Sequence, residues 1–192
     1  DDVTLFGGLD LTATLAKGSI VQSKGVLATP STFVLTMAER TKSEFAARLS
    51  LTMDDIFASC LVALDESTEE EDGIPSGLAD RLAFHFDFDG YHWADTTPLR
   101  IDAELLRNAK FFLPKVVIPD GVFATLVVLA LKLGISSMRA PLMAAQVARL
   151  HAALSYRATV AEDDIKQAVQ LVLAPRATQL PEVEQDEALD ND

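Results

Sequence analysis

Arg81 and a short Lys-Gly-Ser string are the residues of this chain whose types fit phosphate chemistry. Arg81 stands at the end of a short helical pattern, Leu78–Arg81, and a guanidinium is always charged and can bind two phosphate oxygens at once. Lys17-Gly18-Ser19 has the lysine and hydroxyl of a phosphate-binding loop. It lacks the upstream glycine spacing, however, and follows an apolar helical pattern rather than a strand. The sequence therefore offers a phosphate-binding side chain without a complete nucleotide site.

Arg81 also has a simpler interpretation, in which it pairs with Asp80 or with the acidic loop that precedes it. The three histidines, His85, His92 and His151, show no metal-ligand spacing. We expect no metal site from them.

The formal charge of −13 is confined to two segments of the 192-residue chain. Residues 65–72 and 181–192 each hold six acids, which leaves the rest nearly neutral. No basic stripe is present to neutralise phosphates, so the composition argues against nucleic-acid binding. The longest apolar run, residues 122–131, is shorter than the roughly 20 residues of a membrane span. Cys60 is the sole cysteine, which rules out an internal disulfide and indicates a reducing, cytoplasmic setting.

The first half of the chain alternates helical and strand patterns. Residues 9–16 form a short helical pattern, and residues 33–36 and 60–64 are apolar runs typical of buried strands, with Cys60 as a small core residue. Thr36 and Glu39 match a capping box that would begin a helix containing Phe45, Leu49 and Ile56. Residues 83–88 alternate apolar and polar side chains and predict one more strand.

The second half of the chain is wholly helical in pattern. Helices are predicted over residues 102–111, over 122–133 with Gly134 as the terminating glycine, and over 139–154 with Pro141 in the first turn. Thr159 and Glu162 match a second capping box, which begins a helix to about Leu173. We predict an α/β core at residues 1–98, an all-α lid at 99–176 and an acidic, Pro-containing linker or tail at 177–192.

Four segments together resemble the ATPase-like domain of the magnesium chelatase D subunit, a protein of chlorophyll and bacteriochlorophyll synthesis. The segments are Leu5-Phe-Gly-Gly-Leu-Asp-Leu, Gly25-Val-Leu-Ala-Thr-Pro with Phe33-Val-Leu-Thr-Met-Ala-Glu-Arg40, Gly77-Leu-Ala-Asp-Arg-Leu-Ala-Phe-His-Phe, and Arg139-Ala-Pro with Thr159-Val-Ala-Glu-Asp-Asp164. The resemblance covers almost the whole chain. It implies an AAA+ fold, a nucleotide-binding α/β core followed by a helical lid, that assembles into rings.

The resemblance also implies partners and residue roles. The partners would be the chelatase I subunit, which is an active ATPase, and the H subunit, which holds the porphyrin, so ATP and Mg²⁺ would act at the level of the complex. Arg81 would be an arginine finger that reaches a neighbour's nucleotide in trans, and Arg139 a second-sensor arginine near the hinge between core and lid. The phosphate-binding strand would lie before Asp1.

Active members of this class end a buried strand in Asp-Glu, which holds Mg²⁺ and polarises the attacking water. The corresponding strand here, residues 33–36, continues Met37-Ala38-Glu39 and lacks the pair. Asp65-Glu66 fits the string but precedes Arg81 by only 15 residues, so we interpret it as the start of the acidic loop. We therefore expect a platform subunit that does not hydrolyse ATP, in the cytoplasm or plastid stroma.

Two alternatives remain open at this point. One is an active MoxR-like AAA+ ATPase, in which Asp65 and Glu66 would matter to the rate. The other is an interaction scaffold that does not use nucleotide.

Overall fold

The computed structural model describes residues 2–55, 59–68 and 73–179, and the chain divides into two units, Asp1–Leu82 and Ala83–Asp192. In the described part, the first unit mixes short helices with two small sheets, and the second is helical. This order is that of the predicted α/β core and helical lid. None of the helices in the described ranges has the length and apolar character that crossing a membrane requires.

The first unit contains a β-α-β arrangement in which one helix joins two parallel strands. Such strands need a long crossover, and the helix supplies it. Strand β3 (Thr32–Leu35) pairs in parallel with β4 (Cys60–Ala63), with Thr32 opposite Cys60 and Leu35 opposite Ala63. The elements in order are α1 (Asp2–Phe6), β1 (Gly7–Leu9), α2 (Leu11–Lys17), β2 (Gln22–Lys24), β3 (Thr32–Leu35), α3 (Ser43–Asp54), β4 (Cys60–Ala63) and α4 (Ser76–Ala79). The two strands predicted from apolar runs are thus confirmed, and β1 pairs with β2 in an antiparallel hairpin.

The β3–β4 sheet packs on one face only. Phe33, Leu35 and Leu61 face the core of this unit, whose buried members are Leu27, Ala46, Leu49 and Leu78. The other face is open, with Val34 58% and Val62 40% exposed. The prediction of a buried Cys60 was wrong, because successive side chains of a strand point to opposite faces and Cys60 shares the open face with Val62.

The capping box predicted at Thr36 and Glu39 was also wrong. Met37 adopts a left-handed backbone conformation (φ 50°) and leads into a single 3₁₀ turn, Ala38–Arg40. Helix α3 begins only at Ser43, and its N-cap residue is Lys42, whose side chain makes no capping hydrogen bond. Glu39 lies inside this 3₁₀ turn, and its carboxylate accepts the N–H of Glu66 rather than an N–H at the start of α3. Of the predicted core positions of α3, Phe45 and Leu49 contribute as expected, and Ile56 lies outside the described residues.

Over residues 83–179, the second unit contains four α-helices and a continuation of the last one. They are α5 (Ala103–Phe112), α6 (Val122–Lys132), α7 (Arg139–Leu154) and α8 (Glu162–Ala168), which continues as a π-helical turn (Val169–Leu173) and a 3₁₀ turn (Ala174–Arg176). The four predicted helices are confirmed with shifts of a few residues at their ends. Gly134 follows α6 with φ 69°, and Ile135 N–H bonds to Ala130 O at 2.9 Å in a Schellman ending.

Helix α7 lies at the centre of the lid core. Ala140, Ala144, Ala148 and Ala152 recur every fourth residue and are all buried, so one face of α7 carries only methyl groups. Small side chains let neighbouring helices approach closely. The buried members of this core are Val116, Val122, Leu126, Ala130, Ile135, Ala140, Ala144, Ala145, Val147, Ala148, Ala152, Ala153, Val160, Ala168, Val172 and Leu173.

Two predictions for the second unit failed. Residues 83–88 form no strand, because no second strand of the described residues pairs with them. The alternation persists in the side chains. Phe84 stacks on Phe86 with ring centroids 6.0 Å apart, and Phe88 contacts Phe86 with tilted rings at 6.4 Å. The capping box expected at Thr159 and Glu162 is displaced, because α8 starts at Glu162 and Asp164 Oδ2 accepts the N–H of Ala161 at 2.8 Å.

Candidate functional site

The backbone at Arg81 is fixed by the short helix that precedes it. Helix α4 starts after Pro75, and Leu78 within it is fully buried against α3. The N–H of Arg81 then bonds to Leu78 O at 3.0 Å, which closes the turn after α4. The Cα of Arg81 is therefore fixed by an apolar anchor three residues earlier.

The guanidinium of Arg81 is gripped by a carboxylate from the end of α3. Its Nε donates to Asp54 Oδ1 at 3.0 Å and its Nη2 donates to Asp54 Oδ2. This is a bidentate pair on the side edge of the guanidinium. Nη1 donates to Gly77 O at 2.5 Å. The hydrogen bonds to Asp54 raise the pKa of Arg81 above its usual value. The simpler interpretation of Arg81 named Asp80 or the acidic loop as its partner. The structure adds Asp54 as the hydrogen-bonded partner, and the charge of Asp80 also acts to raise the pKa of Arg81. Residues 69–72 of the acidic loop lie outside the described residues.

These bonds leave part of the guanidinium available. Arginine has five N–H donors, and the two bonds to Asp54 and one to Gly77 O use three. One N–H on each terminal nitrogen stays outside these bonds, and the side chain is 17% exposed. Two N–H groups on neighbouring nitrogens match two oxygens of a phosphate group. The arrangement can therefore hold Arg81 and still offer it to an anion.

Acidic side chains lie at the carboxyl ends of β3 and β4. Glu39 follows β3, its side chain is only 6% exposed, and its Oε2 accepts the N–H of Glu66 at 3.1 Å. Asp65 follows β4 and accepts hydrogen bonds from Ser67 Oγ at 2.6 Å and Ser67 N at 3.0 Å, which lower the pKa of Asp65. Its other oxygen accepts the N–H of Ile74 at 3.3 Å. These carboxylates tie the two strand ends and the following loop together.

A crevice of about 520 Å³ opens beside the carboxyl end of β3. Ligands of open α/β sheets bind at this edge. Arg40 and Lys42 border the crevice together with Thr36, and the acids Asp2 and Glu44 balance their charge. We did not single out these two basic residues from the sequence. Their position directly after an apolar strand was the signal that could have identified them.

Arg139 lies in the second unit, at the first position of α7. It is half-buried, and its backbone N–H bonds to Ser137 Oγ at 3.2 Å. A cation at a helix N-terminus meets the positive end of the helix dipole, so local helix energetics do not account for an arginine here. Arg81 and Arg139 thus belong to different units.

The histidines lie in other networks. His151 Nδ1 lies 2.6 Å from Asp164 Oδ1, and His85 Nε2 lies 3.1 Å from Arg176 Nη2. His92 contributes its backbone N–H to Asp95 Oδ2 at 3.0 Å. Across residues 2–55, 59–68 and 73–179, no group of three or more His, Cys, Asp or Glu side chains is arranged to hold a metal ion.

The fold places the chain among AAA-type modules. The AAA lid domain family matches residues 123–192. A crystal structure of a candidate ATPase from Cytophaga hutchinsonii superposes with a TM-score of 0.58 over 90% of this chain and 65% of that one, at 16% identity. An α/β unit followed by a helical lid is therefore the architecture of this chain.

Relatives identify the family within that class. The chain is 46% identical over 176 residues to the magnesium-chelatase 60 kDa subunit of Cereibacter sphaeroides, covering 92% of this chain and 31% of that protein. It is 38% identical to the 60 kDa subunit of Rhodobacter capsulatus (95% and 32%) and 30% identical to the magnesium-chelatase 67 kDa subunit of Chlorobaculum parvum (95% and 35%). The chain belongs to the magnesium chelatase D-subunit family, and it spans about a third of the length of these curated relatives.

Proposed function

We propose that this chain is the AAA+ platform of a magnesium chelatase, the part of the D subunit that couples a partner's ATP hydrolysis to insertion of Mg²⁺ into protoporphyrin IX. The observation that carries the proposal is Arg81, a braced guanidinium that keeps an N–H on each terminal nitrogen outside its bonds to Asp54 and Gly77. The identity to magnesium-chelatase subunits over more than nine tenths of the chain supports it.

The platform does not hydrolyse ATP in this proposal. Strand β3 ends in Leu35-Thr36-Met37, with no Asp-Glu pair at the position where the class places its Mg²⁺ and water ligands. Glu39 and Asp65 are both engaged in hydrogen bonds that organise the strand ends. Both carboxylates thus have a structural use that accounts for them.

Arg81 acts on a neighbour's nucleotide. Negative charge builds up on the transferred phosphoryl group as the bond to the leaving oxygen breaks, and a guanidinium placed against it stabilises that charge. ATP and Mg²⁺ are bound at the partner ATPase, the I subunit, in a mixed or stacked ring. Arg139 contributes a second cation from the first turn of α7, and the H subunit presents the porphyrin. The assembly works in the cytoplasm, or in the stroma of a plastid-bearing host.

Reconstitution tests this proposal. The full-length chain, as wild type or with Arg81→Ala, is combined with the I-type ATPase and the porphyrin-binding subunit, and ATP turnover and Mg²⁺ insertion are measured. We expect Arg81→Ala to preserve assembly and to lower turnover by about 100-fold or more. Arg48→Ala is the matched control, because Arg48 is a half-buried arginine of the same unit that pairs with Asp2 and has no bond to Asp54 or Gly77 among those described.

Two results would contradict the proposal. ATP hydrolysis by the chain alone, reduced by changes at Asp65 and Glu66, would favour an active MoxR-like ATPase. Turnover that is unchanged by Arg81→Ala would make the chain an interaction scaffold, in which the pair of Arg81 with Asp54 is only a local structural contact.

A further inference from the structure

Arg81 belongs to a small network that joins the end of α3 to α4. Ser50 and Asp54 lie one helical turn apart on α3, so they share a face. Ser50 Oγ donates to Gly77 O at 3.3 Å, and Arg81 Nη1 donates to the same oxygen at 2.5 Å. Ser50 itself is buried. Helix α3 therefore holds both the backbone of α4 and the side chain that follows it.

The direction of the fork decides what Asp54 does to Arg81. Asp54 occupies the edge formed by Nε and Nη2, which is the side edge of the guanidinium. A carboxylate that occupied both terminal nitrogens would compete with phosphate for the same donors. Asp54 instead takes one donor of Nη2 and none of Nη1. With the bond of Nη1 to Gly77 O, one donor on each terminal nitrogen stays outside these bonds, and the Asp54 side chain is 32% exposed. The contact thus orients the guanidinium without covering its end.

We propose that Asp54 is a positioning residue for Arg81, which holds the guanidinium by its side edge so that its terminal N–H groups meet a phosphate group of a neighbouring subunit's nucleoside triphosphate. This inference rests on the proposed function of Arg81. A free arginine side chain has many rotamers, and a side chain that is already ordered does not lose that freedom during the reaction. Asp54 contributes to turnover only through Arg81.

The test is a double-mutant cycle in the reconstituted full-length complex. The variants are Asp54→Ala, Arg81→Ala and the double variant, with kcat and KM for ATP as the readouts. We expect Asp54→Ala to lower kcat about tenfold with little change in KM, and to have no further effect when Arg81 is already alanine. Asp54→Glu, which keeps the carboxylate, should restore part of the loss.

Controls separate orientation from folding. Asp55→Ala removes the next carboxylate along the chain, which is exposed and makes no contact with Arg81 in the bonds described, and it should leave kcat unchanged. Hydrogen exchange of α3 and α4 is measured for every variant. If Asp54→Ala unfolds this unit, the double-mutant cycle is measured with Asp54→Asn instead, and Asp54→Glu remains the variant that keeps the carboxylate.

Each contrary outcome has a distinct meaning. If Arg81→Ala lowers turnover and the folded Asp54 variants do not, the positioning role is wrong and the proposed function stands. A rise in turnover for Asp54→Ala would make Asp54 a competitor of phosphate and would also overturn the inference. Additive losses would show that Asp54 acts elsewhere. If Arg81→Ala has no effect, the trans role of Arg81 fails, and the inference fails with it.

Discussion

Sixteen buried residues form the core of the helical unit, whereas four form that of the α/β unit, within the residues that the structure describes. Helix α7 alone has eight buried positions, more than the whole core of the first unit. In the first unit the β3–β4 sheet packs by one face, and Val34 and Val62 stay exposed on the other. The candidate phosphate-binding residue, Arg81, lies in the unit with the smaller core.

The two units also differ in how they use charge. Asp164 of the lid is fully buried and bonds to His151, Arg157 and the N–H of Ala161. The pair of Arg81 with Asp54 in the first unit is partly exposed. Leaving a buried charge without its partner is costly, whereas solvent screens the charges of a pair that it can reach. The comparison shows that the charge network of the lid surrounds a carboxylate closed off from solvent, whereas solvent reaches both side chains of the Arg81–Asp54 pair.

The largest effect should follow loss of a core side chain from the small core. Leu78→Ala removes a fully buried side chain that anchors α4, and we expect it to cost about 3–5 kcal/mol. Hydrogen exchange should rise across α3 and α4 and stay unchanged in α7. Leu51→Ala is the control, because Leu51 is exposed on α3 of the same unit. Equal loosening of α7 would show that the two units unfold together.

A smaller loss should follow from breaking the buried charge network of the lid. Asp164→Ala leaves Arg157 and His151 without their carboxylate, and we expect a cost of about 3 kcal/mol, the low end of the usual range because both partners are partly exposed. Urea unfolding followed by hydrogen exchange of α7 and α8 measures it. Glu162→Ala, two residues earlier on the same helix and exposed, should change little. An effect of the same size from both variants would contradict the role given to Asp164.

The smallest effect should be a pH dependence confined to the lid. Burial acts to raise the pKa of Asp164, but the hydrogen bonds from Ala161, Arg157 and His151 outweigh it and hold that pKa below the ordinary value. The resulting stability is complete above the unfolded pKa of about 3.9 and is lost as pH falls through the lower folded pKa. Exchange in α7 should therefore increase below about pH 4. Asp164→Asn should remove this step, and persistence of the step would assign it to another group.

The sequence predicted the lid better than the α/β unit, for physical reasons. Gly134 and Pro141 act within one turn of the helix ends that they mark, so these helices followed from local signals. The two capping boxes failed because a Thr and a Glu three residues apart satisfy the motif wherever they occur, and the tertiary structure used Glu39 to bind Glu66. Cys60 was misplaced because an apolar run does not show which strand face lies open.

The candidate site was predicted only in part. Arg81 was chosen because of the resemblance to a family, since the pattern around it fits an ordinary helix-end arginine equally well. Its partner Asp54 stands 27 residues earlier, and only the packing of α3 against α4 brings the two side chains together. The roles given to Arg81 and Arg139 stay predictions until the variants are measured.

The ending of α6 has a mechanical consequence. Thr178 and Gln179, at the end of the described chain, donate their N–H groups to Leu133 O at 2.9 and 3.2 Å, and Thr178 Oγ1 bonds to Gly134 O at 2.9 Å. A Cβ on Gly134 would lie 2.3 Å from Thr178 Oγ1, so the clasp closes only over glycine. The segment that follows α8 is therefore tied back to the turn between α6 and α7, so a change at Gly134 should loosen both segments at once.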